Sequence, residues 1–232
     1  MIYNKKSKEE LFMDIEYNLF KRTSVDYEKL LKYGFKKIDD KYIYEKKFIN
    51  GDFKAIITIV DNYVTGKVID LETNDEYFAI KTIMNGSFVS KVRDEYLSIL
   101  FDIKEKCFEN KLFITDQANR IANFIMKKYQ VEPEFLWENS SGHGVFRNKV
   151  NNKWFGIIMN VDGMKFENKS GEVEVLNIKL DKLKIQDLLS NNGYFPAYHM
   201  NKKSWISIIL DEYLDDETII KLVSESYDQV NK

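Results

Sequence analysis

The chain has 232 residues, a formal net charge of −2 and a pI near 5.9, with 44% hydrophobic, 31% charged and 14% aromatic residues. That length suits one large folded domain or two small ones, and the Phe, Tyr and Ile content argues against disorder because it offsets the entropy of ordering. The balance of charge excludes a global attraction to phosphate or to anionic lipid.

Cys107 is the single cysteine, so no intramolecular disulfide and no thiolate-rich metal site can form. The opening Met1-Ile-Tyr-Asn-Lys-Lys lacks the apolar run of a signal peptide, and nowhere do about eighteen apolar residues run together. The expected compartment is the cytoplasm, with no membrane contact.

Ser7-Lys-Glu-Glu10 forms a capping box ahead of Leu11, Phe12, Ile15 and Leu19 at helical spacing, which predicts a first helix ending near Arg22. Thr23 or Ser24 is expected to cap a short second helix, with Gly34 as its left-handed terminator. From Phe35 the period becomes strand-like. Four runs, Phe35–Ile38, Lys41–Phe48, Phe53–Val60 and Tyr63–Ile69, are joined by Asp39-Asp40, Asn50-Gly51-Asp52 and Asp61-Asn62. Such tight turns predict an antiparallel meander. Both of its faces carry apolar residues, so a cover on each side is expected. One cover is a helix over Phe88–Phe108 with the stripe Val92, Tyr96, Ile99, Leu100, Ile103 and Cys107. That spacing makes Cys107 a buried small hydrophobe rather than a reactive thiol.

The apolar pattern lapses at Glu109-Asn110-Lys111 and restarts, which divides the chain into domains at 1–110 and 111–232. Thr115 or Asp116 caps a helix with Ala118, Ile121, Ala122, Ile125, Met126 and Tyr129 inward, and Pro133 marks its exit. A hairpin follows, Val145–Arg147, the Asn148–Asn152 connection and Lys153–Val161. Val173–Leu180 is a further strand with Leu176, Ile178 and Leu180 on its inward face. Then come a helix over Lys182–Ser190, a stretch from Gly193 to Leu210, and a last helix over Asp215–Val230 with acids at its positive end. The fold class is therefore α+β in both domains, each an antiparallel sheet packed with helices.

Several of these segments carry a resemblance. Val145-Phe-Arg147, Lys153-Trp-Phe-Gly-Ile-Ile-Met159, Leu176-Asn-Ile-Lys-Leu180, Gly193-Tyr-Phe-Pro-Ala-Tyr-His-Met-Asn-Lys-Lys-Ser-Trp205 and Ser224-Glu-Ser-Tyr227 resemble the MmcQ/YjbR family. The match covers roughly residues 112 to 232, and Tyr-His-Met-Asn-Lys-x-x-Trp is its most specific element. Ser204 stands where many relatives have His, a departure from the family's His-Trp pattern. The resemblance implies a frataxin/CyaY-like fold and a bacterial protein. It also implies candidate DNA binding with a double-wing arrangement, the wings falling at Asn148–Asn152 and Asp162–Gly171.

On that implication the nucleic-acid-binding candidates are Arg147, Lys149, Lys153, Lys165, Lys169, His199, Lys202 and Lys203, with Trp154, Tyr198 and Trp205 as accompanying aromatics. Neither domain is basic as a whole: residues 1–110 carry 19 Lys and Arg against 20 Asp and Glu, and residues 111–232 carry 16 against 17. The plainer expectations are that Trp154 and Trp205 pack on a sheet and that His199 makes a hydrogen bond fixing its turn. Ser140-Ser-Gly-His-Gly144 lacks an orienting acid and oxyanion donors, so no catalytic residue is expected there. No metal-ligand spacing and no cofactor motif occurs. The expected function is non-enzymatic DNA binding; the alternative is a protein-interaction module or self-association.

Overall fold

The structure is a computed structural model that describes residues 14–83, 86–137, 142–166 and 169–231. The capping box at Ser7 lies outside the described residues. The chain divides into two compact units, Met1–Lys111 and Leu112–Lys232. Among the described residues no helix is long and apolar enough to cross a membrane.

In the first unit, helix α1 (Ile15–Phe20) leads to strand β1 (Thr23–Val25) and helix α2 (Tyr27–Tyr33). Asp26, not Thr23 or Ser24, caps α2, its carboxylate accepting from the amides of Glu28 and Lys29. Thr23–Val25 is instead extended and pairs antiparallel with β6 (Phe108–Asn110). Gly34 ends α2 at φ +118°, a conformation open to glycine and costly for a side chain. Strands β2 (Lys36–Ile38), β3 (Lys41–Phe48), β4 (Phe53–Val60) and β5 (Tyr63–Asp70) form an antiparallel meander in that order. Helix α3 (Ser87–Cys107) follows.

Along β4 burial alternates strictly. Phe53, Ala55, Ile57 and Ile59 enter the core with Val92, Tyr96, Ile99, Leu100 and Ile103 of α3. Gly66 of β5 is the point of closest approach: a Cβ there would lie 1.7 Å from the Tyr96 hydroxyl oxygen, which donates to the buried Glu16 carboxylate. Burial pushes the Cys107 thiol up to about 11, helped by the Asp102 and Asp26 carboxylates, so the group is inert at neutral pH. Among the described residues nothing is packed on the opposite face of the meander, where a second cover is expected: Ile43, Ile56 and Val60 are half-buried and belong to no part of the core cluster.

The second unit holds a six-stranded antiparallel sheet in the order β11-β12-β10-β9-β8-β7. Its strands are β7 (Glu134–Phe135), β8 (Gly144–Arg147), β9 (Trp154–Asp162), β10 (Glu172–Lys179), β11 (Tyr194–Pro196) and β12 (Trp205–Ile209). Helices α4 (Asp116–Tyr129), α5 (Lys182–Leu188) and α6 (Asp216–Asn231) bury Ile121, Ile125, Ile185, Ile219 and Val223 against Phe155, Leu176, Ile178 and Ile206. On the other face Val145, Ile157, Met159, Val175 and Ile209 form a separate cluster beneath Phe166. Both faces are therefore buried, which explains why β9 and β12 read as continuous apolar runs while β4 alternates. Pro196 sits in β11, an edge strand, where a missing amide donor is tolerated. Thr115 caps α4, and the buried Glu174 carboxylate accepts from the Ile114 amide, the Thr115 amide and the Thr115 hydroxyl, each at 2.7 Å.

Candidate nucleic-acid interface

The register of the second sheet sorts the eight candidate residues by end. Arg147 pairs with Trp154, Ile178 with Gly156, Lys179 with Trp205 and Pro196 with Ile206. The β8–β9 connection, the last residue of β10 and the β11–β12 turn thus lie together at one end. Arg147, Lys149, Lys153, His199, Lys202 and Lys203 belong to it. Lys165 and Lys169 lie in the β9–β10 connection, where Glu172 pairs with Asp162 at the other end. With nine residues in β9, the two ends stand roughly 25–30 Å apart. The two connections that the resemblance marks as wings are therefore at opposite ends of the sheet.

At the first end, asparagines shape the backbone. Asn148 is buried; its Oδ1 accepts from the Val150 amide at 2.8 Å and its Nδ2 donates to Asn231 Oδ1 at 3.3 Å. Asn151 Nδ2 donates to the Val230 carbonyl at 2.7 Å while its Oδ1 accepts from the Lys153 amide. The connection is so tied to the end of α6 that Lys149, Val150 and Lys153 are turned to solvent, Val150 at 83% exposure.

The Tyr198–Lys203 turn is held from beneath. Asn177 of β10 donates to the Tyr198 carbonyl at 2.8 Å, Ser207 Oγ donates to Asn177 Oδ1 at 2.5 Å, and the Tyr198 amide donates to Ser207 Oγ at 2.9 Å. Asn201 accepts from the Lys203 amide and, through its carbonyl, from the Ser204 and Trp205 amides. His199 does not fix the turn. It is exposed, at φ 53°, with its ring edge against Tyr198. Asn177 performs the task assigned to it, because a buried amide can donate and accept at once.

Lys149, Lys153, Lys202 and Lys203 are exposed and have no carboxylate partner among the described residues, whereas Lys179 at the end of β10 is half-buried. Arg147 differs. Its Nε donates to Glu134 Oε2 at 2.9 Å and its guanidinium lies 5.3 Å from the centroid of the Trp154 ring. Besides Glu134, which is paired with Arg147, the acids toward this end are Glu132, just before β7, Asp181, which caps α5, and Asp228 on α6.

The opposite end carries both signs of charge, and Lys169 and Arg120 there are paired. Lys169 contacts Asp211. Arg120 bridges Asp216 at 2.6 Å and Glu212 at 2.7 Å, and the guanidinium holds the Asp216 carboxyl below the usual carboxylate range. Lys165 is exposed. A cleft here, lined by Lys169, Asn192, Phe195, Asp211 and Tyr213 among others, includes neither histidine. His143 Nε2 sits 3.1 Å from the Asn160 carbonyl, its ring against Trp137, and Ser140 and Ser141 lie outside the described residues. Among the described residues no group of three or more His, Cys, Asp or Glu could hold a metal ion.

Lys179, Asn148, Asn151, Asn177 and Ser207 were not singled out by sequence. The available signal was Asn177, a polar residue between the apolar Leu176 and Ile178 in the middle of a strand.

A family model described as YjbR matches residues 126–229. The uncharacterised protein YyaQ of Bacillus subtilis is 35% identical over 109 residues, covering 46% of this chain and 92% of that protein. A Pseudomonas syringae crystal structure is 31% identical, covering 47% of this chain and 95% of that one, with a TM-score of 0.46. A Deinococcus radiodurans structure is 18% identical, covering 50% and 78% with a TM-score of 0.39. On the strength of the relative that it spans almost end to end, the chain belongs to the YjbR family, through the sheet and helices of its C-terminal half.

Proposed function

We propose that the second unit binds DNA as a non-enzymatic module, through the end of its sheet that carries Lys149, Lys153, Lys202 and Lys203. The observation that supports this reading is their shared position without carboxylate partners, on two turns separated by one intervening strand, β10. Strands β9 and β12 are thereby two strand spacings apart, roughly 10 Å, so the turns can follow one phosphate backbone together. Unpaired ammonium groups gain by displacing condensed counterions, and their rigid turns lose little freedom on contact. Arg147, held by Glu134 and Trp154, positions the hairpin rather than reading a base. Binding is thus set by the backbone and only weakly by sequence.

A mobility-shift titration at several salt concentrations tests this. If about four phosphates are contacted, the expected dependence of log K on log salt has a slope of roughly −3 to −4. Absence of binding at low salt, or binding without a salt slope, overturns it. A second reading, a protein partner or self-association, is favoured by exposed Phe135, Leu136 and Trp137 on and beside the two-residue edge strand β7. A concentration-dependent sedimentation coefficient that is lost in Trp137→Ser supports that alternative.

A further inference from the structure

The face of the β2–β5 meander turned away from α3 has a charge unlike that of its unit. The register places Lys36, Lys41, Lys47, Lys54 and Lys67 on it, with Glu45 as the single acid of its strands on that face. The unit overall is slightly acidic, so positive charge has been gathered here. Lys47 stands directly opposite Lys54 across the β3–β4 ladder. Like charges in that position destabilise a sheet, and among the described residues only Lys54 has a relieving partner, Glu45 at 3.3 Å. Between the lysines run Ile56 and Val60, half-buried and outside the core, with Tyr63 at 72% exposure near the far edge.

We propose that this face docks an acidic protein segment whose carboxylates alternate with apolar side chains. The carboxylates meet the lysine rows, and the apolar residues cover Ile56 and Val60. A nucleic-acid strand fits less well, because a stacking surface uses successive aromatics and Tyr63 is the sole exposed aromatic on the face. The acidic run Asp211–Glu217 of the second unit is not a suitable occupant, since Asp211, Glu212 and Asp216 already have cationic partners.

The test uses the full chain and a fluorescein-labelled peptide that alternates Asp or Glu with Leu, read by anisotropy. Saturable binding is expected. Lys47→Glu with Lys67→Glu should weaken it at least about tenfold by placing like charges against the peptide. Both lysines are exposed, so an unchanged thermal midpoint separates lost binding from lost fold. Lys149→Glu with Lys153→Glu, in the other unit, should leave peptide affinity unchanged while reducing DNA binding, which keeps the two proposals distinguishable.

No saturable binding overturns the inference, as does equal weakening by the two double variants. Polyglutamate binding as tightly removes the apolar contribution. An oligonucleotide or an anionic vesicle that binds wild type but not the Lys47/Lys67 variant makes the occupant nucleic acid or lipid. A wild-type dimer that the same variant dissociates makes it a second copy of the chain.

Discussion

The two ends of the second sheet use the same residue types to opposite effect. At the end formed by the β9–β10 connection and the start of α6, cations are spent on neighbours: Lys169 on Asp211, Arg120 on Glu212 and Asp216. At the other end Arg147 is paired with Glu134, but the turns themselves are held by neutral amides, Asn148, Asn151 and Asn177, and the four exposed lysines have no carboxylate partner among the described residues. The lesson concerns division of labour. Where side-chain amides fix a turn, charge is not needed for structure and remains available to a ligand.

The largest expected effect comes from breaking that asymmetry. Reversing Lys149, Lys153, Lys202 and Lys203 together to Glu should reduce DNA affinity at low salt by about a hundredfold or more, by mobility shift. Lys165→Glu with Lys169→Glu should change it less than about threefold, since these lysines lie at the other end. Equal losses would erase the distinction between the ends.

Glu174→Ala strands the Ile114 and Thr115 amides at the start of α4, and should cost roughly 2–4 kcal/mol in denaturant unfolding. Asn177→Ala releases the Tyr198 carbonyl and Ser207, and should cost roughly 1–3 kcal/mol. The second variant alone should also weaken DNA binding, because it frees the turn that carries Lys202 and Lys203. A stable Asn177→Ala protein with full DNA affinity contradicts the role given to the amide.

The smallest effect is pH dependence at the paired end. Asp216 has a lowered pKa in the folded chain, chiefly from its hydrogen bond to Arg120, so its contribution is present above the unfolded carboxylate pKa. It is lost as pH falls through the lowered folded value. Asp216→Asn should therefore flatten the acid limb of the stability curve slightly and leave the region near pH 7–8 with little slope.

Much of the fold was legible. Alternation in Phe53–Val60, the turn residues around it, the Gly34 terminator and the apolar stripe of α3 each declare local geometry, and the structure has them. The pairing of Thr23–Val25 with Phe108–Asn110 was not legible, because its partners are far apart in sequence and three residues are too few to show a period. The far face of the meander is harder to read for a related reason: Ile56 and Val60 look like core until the lysines beside them are placed by register. At the site, the lysines could be named from sequence but not sorted by end. His199 drew attention as a rare residue, while Asn177, a common one, does the positioning.

The most direct measurement is a backbone amide chemical-shift map of the chain titrated with a short DNA duplex at low salt. Saturating shifts are expected, confined to residues 147–153, 179 and 198–205, and they vanish as salt is raised. Shifts centred on residues 162–172 and 211–217, or none at any salt, would contradict this interface.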